Sequence, residues 1–228
     1  LIMGRFPEAV RRAVDHGVMA RALEEGRFVI EAKPLNDWGL TKHQKIDDRP
    51  FGGGVGLVLR PDVVIPAIRW ARDALPGAPV VMVTPQGEPA TQARVAELSD
   101  APGAIFLCGR YEGFDERIRA HVDLEISLGD FVLSGGELAA ACLIDAAARL
   151  IPGVLGKLDS ALEESHTDGL LEHPHYTQPA VFEGVEVPDI LRSGHHARIA
   201  AWRQAQREAR TAERRPDLLG RGPDRTDD

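Results

Sequence analysis

Cysteine is scarce in this chain: Cys108 and Cys142 are the only two in 228 residues. A disulfide scaffold is therefore excluded, and both thiols sit among apolar neighbours, where burial as free thiols in a reducing compartment is expected. Long apolar runs are lacking as well. The longest, Leu138 to Ile151, is broken by Asp145 and Arg149 and is too short to cross a bilayer. No charged stretch followed by an apolar one opens the sequence, so no signal peptide is expected. These absences point to a cytoplasmic protein with no membrane partner. Several catalytic signatures are missing too. FGGGVG (51–56) is not followed by Gly-Lys-Ser/Thr and is no G-x-G-x-x-G, which excludes a Walker A loop and the Rossmann fingerprint there. No G-x-S-x-G occurs. His166, His173 and His175 lack a firm fourth ligand, and Pro174 breaks helical spacing, so no metal site is expected.

What is present suits a soluble globular fold, with 43% hydrophobic and 27% charged residues. The net charge of −8 conceals an asymmetry. From Ile190 to Arg221 eight arginines face three acidic residues, a local balance of +5. A basic tail on an acidic body is a nucleic-acid signal, with a merely solvated helix face as the alternative.

Between residues 60 and 150 short apolar runs alternate with helical text, which predicts a parallel sheet with helices packed on it. The predicted strands are Pro79–Thr84, Ala104–Cys108 and Val122–Ile126. The loops that follow, TPQG, CGRYEG and SLGDFVLSGG, all carry glycine, and in such sheets these loops share the edge where ligands bind. The third loop enters a helix over Leu138–Leu150, with Ser134-x-x-Glu137 spaced as a capping box. Both flanks of that helix read as buried, so Arg149 is expected to point into a cleft or an interface. The FGGGVG loop, with Lys42, His43, Lys45 and Arg49 near it, either makes room for a partner or is simply flexible. The opening LIMGRFPEA precedes a first helix, and no strand is assigned to it. Residues 156–170 read as a flexible linker or lid. A helix within Ser193–Leu219 is expected to bury Ile199, Trp202, Ala205, Ala209 and Ala212 on one face, leaving its arginines elsewhere.

IDDRPFGGGVGLVLRP, VTPQGEPATQ, CGRYEGFDERI, SLGDFVLSGGELAAACLIDAAARLIPGVLG, HYTQPAVFEG and VPDILRSGHHARIAAWR, in that order, resemble the bacterial tRNA (guanine-N1)-methyltransferases that modify the guanine 3′ of the anticodon. The resemblance implies an α/β fold of the SPOUT class, whose parallel sheet carries a C-terminal deep trefoil knot. It implies a methyltransferase domain over 1–156, a linker over 157–170 and a small helical tRNA-binding domain over 171–228. It further implies a homodimer with shared active sites acting on tRNA with guanine at position 37. S-adenosylmethionine would be held by Thr84, Pro85, Gly109, Tyr111, Glu112, Ser127, Leu128, Gly129, Asp130, Phe131, Val132, Leu133, Gly135 and Gly136. A requirement for divalent magnesium stays open.

The resemblance also assigns chemistry. Guanine N1 carries a proton that a base must remove, and charge then spreads to O6, where a fixed cation helps. Arg149 matches the family's essential arginine. The family's base is an aspartate followed by serine, and this chain has Glu164-Ser165 there, with Asp168 in reserve. That departure leaves a noncatalytic RNA-binding protein of the same fold open as an alternative, beside a related enzyme of the same class acting at another RNA position.

Overall fold

The structure, a computed structural model, describes residues 1–155 and 164–220. The chain forms two compact units, Leu1–Leu158 and Asp159–Asp228. In the first unit, strands β1 (Ile2–Gly4) and β2 (Ala32–Pro34) enclose helices α1 (Pro7–Val14) and α2 (Gly17–Glu24). The two-residue strands β3 (Asp47–Asp48) and β4 (Val58–Leu59) pair antiparallel and lead into α3 (Pro61–Ala74). Strand β5 (Val80–Pro89), α4 (Gln92–Asp100), β6 (Ile105–Cys108), β7 (Leu124–Ser127) and α5 (Glu137–Ala148) follow.

Five of these strands make one parallel sheet in the order β2-β1-β6-β5-β7. Alternation along each strand sends neighbouring side chains to opposite faces. Met3, Val80, Met82, Ile105 and Leu107 belong to a core shared with Val63, Val64, Ala67 and Ile68 of α3. Ile2, Val81, Val83, Phe106 and Ile126 belong to another, shared with Val10 of α1, Leu98 of α4 and Leu143 of α5. A sheet buried on both faces needs continuous apolar text, which explains why VVMV and IFLC read so cleanly.

Several expectations are corrected. The opening IMG, on which the sequence made no claim, is a strand between β2 and β6. TPQG is not a loop that ends its strand, because β5 pairs with β7 on both sides of it: Val83 and Glu88 both register with Ile126, and Thr84–Gly87 bulge out between them. DERIRAH yields a 3₁₀ turn over Glu116–His121. The capping box is not made. Gly136, which has no side chain to accept a bond, is the N-cap of α5 in place of Ser134, and Glu137 turns to the Phe6 N–H and Arg110. Thr91 does cap α4, accepting from the Arg94 N–H at 3.3 Å. Cys108 is buried as expected, whereas Cys142 is exposed.

The second unit contains a hairpin, β8 (Val181–Phe182) with β9 (Val185–Glu186). Its turn residues Glu183 and Gly184 both have positive φ, the backbone that a tight two-residue hairpin turn requires. Helices α6 (Asp189–Arg192), α7 (His196–Arg214) and α8 (Pro216–Leu219) follow. The expected apolar face of α7 is wrong beyond Trp202. Ala205, Ala209 and Ala212 are exposed, while Gln206, Arg207, Arg210 and Thr211 turn inward. Of the expected flexible linker, residues 164–170 are tied to that inward face through the pairing of Asp168 with Arg207, and the adjoining Leu171 and Glu172 bond to Thr211 and Arg210. The rest of the expected linker, 156–163, lies outside the described residues.

The bulge in β5 makes a strict demand. A Cβ on Gly87 would lie 2.5 Å from the carbonyl carbon of Glu125 and from the Ile126 nitrogen, main-chain atoms that cannot swing aside. Gly87→Ala is expected to destabilise the protein by about 1–3 kcal/mol through overpacking. Urea unfolding checks this, and an unchanged midpoint would mean that the bulge accommodates the methyl group.

Candidate active site

Parallel strands end at a common edge, and β6, β5 and β7 are neighbours. The Thr84–Gly87 bulge, the 109–113 loop and the 128–136 loop therefore gather at their carboxyl ends. The second and third are joined directly. Gly136 N–H donates to the Gly109 carbonyl at 2.9 Å, and Arg110 and Gly135 form an antiparallel bridge. A Cβ on Gly136 would stand 2.9 Å from the Cys108 Cα and the Gly109 nitrogen, so only glycine permits this approach.

The start of the third loop is pinned by Ser127, which is buried. Its hydroxyl accepts from the Gly129 N–H at 3.2 Å and donates to the Gly129 carbonyl at 3.0 Å. Beyond this pin Phe131 and Val132 are 55% and 82% exposed, so the loop presents apolar side chains to solvent. Tyr111, on the neighbouring loop, is also exposed and takes a positive φ of 60°. The FGGGVG loop reaches the same place: the Glu112 N–H donates to the Leu57 carbonyl at 3.0 Å, and a Cβ on Gly56 would collide with the Glu112 carboxylate. Phe51, which opens it, is fully exposed. The nearby Lys45, a candidate phosphate contact, is instead 2.8 Å from the Asp48 carboxylate.

A charged pair locks the two joined loops. The Arg110 Nε donates to Glu137 Oε1 at 3.3 Å, and its Nη1 donates to the Ser134 carbonyl at 3.3 Å. The Phe6 N–H also donates to Glu137 Oε1 at 3.3 Å, and the guanidinium stands 4.9 Å from the Phe6 ring centre. Nη2 approaches Oε2 to 3.1 Å without hydrogen-bond alignment, which leaves that buried oxygen short of a partner. The pattern reading missed this pair because it assigned Glu137 to a helix cap. An arginine directly after a buried strand, followed by a glutamate at the head of an apolar helix, was the available signal. Burial, with the Glu137 carboxylate adding to it, pushes the Cys108 thiol up, so Cys108 stays protonated and is no nucleophile.

The chain matches the family model for tRNA (Guanine-1)-methyltransferase TrmD over residues 1–221. It belongs to that family. A tRNA (guanine-N(1)-)-methyltransferase of Novosphingobium aromaticivorans is 52% identical over 221 residues, 96% of this chain and 90% of the relative. Enzymes of the same name from Syntrophotalea carbinolica (51% over 220 residues; 96% and 89% covered) and Mesorhizobium japonicum (50% over 223 residues; 97% and 96% covered) are similarly close.

The three residues assigned to catalysis fall in both units. Arg149 caps the C-terminus of α5 in the first, its N–H donating to the Asp145 carbonyl at 3.2 Å. The expectation that both flanks of α5 are buried is corrected. Leu138 is 58% exposed and Cys142 is exposed. Spacings of 4, 7 and 11 residues put Cys142, Asp145 and Arg149 on the same stripe as Leu138. Glu164 and Asp168 lie in the second unit. Asp168 pairs with Arg207, and this bond, together with one from the Leu170 N–H, holds its carboxyl below the usual carboxylate range. Asp168 is therefore ionised at neutral pH and a poor proton acceptor, which counts against its reserve role. No helix among the described residues is long and apolar enough to cross a membrane.

The loop lock has a measurable value. Arg110→Met leaves the Glu137 carboxylate, its side chain 4% exposed, without its cation. The expected cost is about 3 kcal/mol, the low end for a broken buried pair because Arg110 itself keeps some water. Adding Glu137→Gln is expected to recover part of that loss. A double-mutant cycle on urea unfolding checks this, and additive losses would mean that the two side chains are not coupled.

Proposed function

We propose that this chain transfers the methyl group of S-adenosylmethionine to N1 of the guanine at position 37 of tRNA, as a cytoplasmic homodimer. The observation that carries the reading is the junction of glycine-bearing loops at the ends of β6, β5 and β7, in a chain matched from 1 to 221 by this methyltransferase family.

The residues at that junction fit the donor. Tyr111, Phe131, Val132 and Leu133 offer exposed apolar surface for an adenine ring. Main-chain groups of 128–133, with Gly109, Gly135 and Gly136, can meet its edges where side chains would not fit. Thr84 and Pro85 line the bulge beside them. Glu112 and Asp130 are exposed carboxylates that can oppose a positive sulfonium. When bound, the donor supplies an electrophilic methyl group, which moves to guanine N1 and leaves S-adenosylhomocysteine.

The protein's own part is small. Glu164 takes the N1 proton, which frees the nitrogen lone pair to form the new bond. Arg149 donates to O6, where negative charge collects as that proton leaves. A carboxylate is a weak base at its ordinary pKa, so the rate rests mainly on holding Glu164 and the guanine in line.

One structural feature supports the dimer. Leu138 and Cys142 form an exposed stripe on α5 that ends at Arg149, and exposed apolar surface is characteristic of an interface. A second copy covering that stripe would bring its residues to the arginine, as a shared active site requires. The knot of the SPOUT class is proposed from the family, whose model matches residues 1–221.

Methyl transfer from labelled donor to a tRNA transcript with guanine at positions 36 and 37 tests the reading, with and without magnesium. Arg149→Ala is expected to lower kcat by about 100- to 1,000-fold. Glu164→Ala is expected to lower it by about 100- to 10,000-fold. A parent that binds the transcript and leaves it unmethylated would favour the noncatalytic alternative.

For tRNA binding, the exposed Arg198, Arg203 and Arg214 are the proposed phosphate contacts on α7. Each replacement by glutamine is expected to reduce the slope of log affinity against log salt by about 0.7–0.9. Filter binding across a salt series reads this, and parallel lines for parent and variants would remove these arginines from the interface.

A further inference from the structure

The inward face of α7 belongs neither to an apolar core nor to a phosphate-binding surface. Thr211 is fully buried on it; its hydroxyl donates to the Arg207 carbonyl at 2.7 Å and accepts from the Leu171 N–H at 2.9 Å. Arg210 Nη1 donates to the Glu172 carbonyl at 3.2 Å. Arg207, its side chain 15% exposed, pairs with the Asp168 carboxylate, and its Nε is buried without a partner. Three residues from one turn of helix thus grip 168–172.

The gripped segment closes back on Glu164. The His166 N–H donates to the Leu170 carbonyl at 2.8 Å, and the Glu172 N–H donates to the Ser165 hydroxyl at 3.0 Å. The Thr167 N–H reaches the Glu164 carbonyl at 3.4 Å, and His166 takes a positive φ of 74°. Residues 164–172 therefore form a closed turn that begins at Glu164 and whose base is anchored to α7.

We infer that Arg207, with Arg210 and Thr211, is a positioning device that fixes the Glu164 turn for proton abstraction. This rests on the reading of Glu164 as the base. A phosphate contact is the competing role for Arg207, but its charge is already opposed by Asp168 and it is mostly covered. The depressed Asp168 carboxyl agrees with this. A group with a lowered folded-state pKa stabilises above its unfolded value and loses that contribution only as pH falls through the folded one. The tie is thus complete at any neutral working pH.

The test uses the full chain, the tRNA transcript and labelled donor. Arg207→Gln and Asp168→Asn are each expected to lower kcat roughly 10- to 100-fold, the size of a misplaced catalytic group, with KM for tRNA and the salt slope kept. The double variant is expected to be no worse than either single one, and Arg207→Lys to recover most of the loss. Amide exchange at Leu170, Leu171 and Glu172 is expected to quicken in Arg207→Gln, a readout that does not depend on activity. Arg203→Gln provides the opposite pattern: raised KM, a flatter salt slope and parental kcat. If Arg207→Gln behaves like Arg203→Gln, Arg207 is a phosphate contact and the inference falls. Unchanged exchange at those amides overturns the anchor itself. If Glu164→Ala keeps the parental kcat while exchange responds to Arg207→Gln, the anchor is real but the residue it presents is not the base, and the positioning inference falls with that reading.

Discussion

The first unit depends on one approach of main chain to main chain. Gly136 lies so near Cys108 and Gly109 that a methyl group would stand 2.9 Å from both. That approach seats the loop after β7 against the loop after β6. It also brings the partly exposed Arg110 beside the buried Glu137 carboxylate. Remove the closeness and the ion pair has no geometry to favour. Ser127 gripping Gly129, and the pairing of β5 with β7 on both sides of its bulge, extend the same constraint outward. The apolar side chains of 131–133 stay in solvent because the backbone around them is already committed.

Much of this was legible in the residues, and the limits have physical causes. VVMV and IFLC announced themselves because a strand buried on both faces has only apolar options. The glycine-bearing loops were readable as one edge because parallel strands end together. The opening strand, IMG, was not: three residues are too few for any period to register. The capping box failed for a different reason. Its spacing is satisfied by Ser134 and Glu137, but the Arg110 guanidinium competes for the glutamate, and local patterns do not contain distant partners. Cys142 was misread because apolar neighbours on a helix say nothing about which stripe is covered.

The second unit carries a lesson about charge. Eight arginines against three acids suggested a phosphate-binding surface, yet the fold diverts Arg207 and Arg210 to an internal task. Alanines at 205, 209 and 212 look apolar in a helical projection but bury little area, so they do not decide the face. Longer side chains that can satisfy main-chain carbonyls and a carboxylate do. Net charge therefore measures a tail's attraction to nucleic acid only after the guanidiniums used inside it are subtracted.

The two thiols divide this protein's exposure to electrophiles. Cys108 is sealed under the loop junction, and burial keeps its proton on. Cys142 stands open on the same stripe of α5 as Leu138 and Arg149. An alkylating or oxidising agent that meets this chain is therefore directed to Cys142, on the stripe that ends at Arg149, and not to the sealed Cys108.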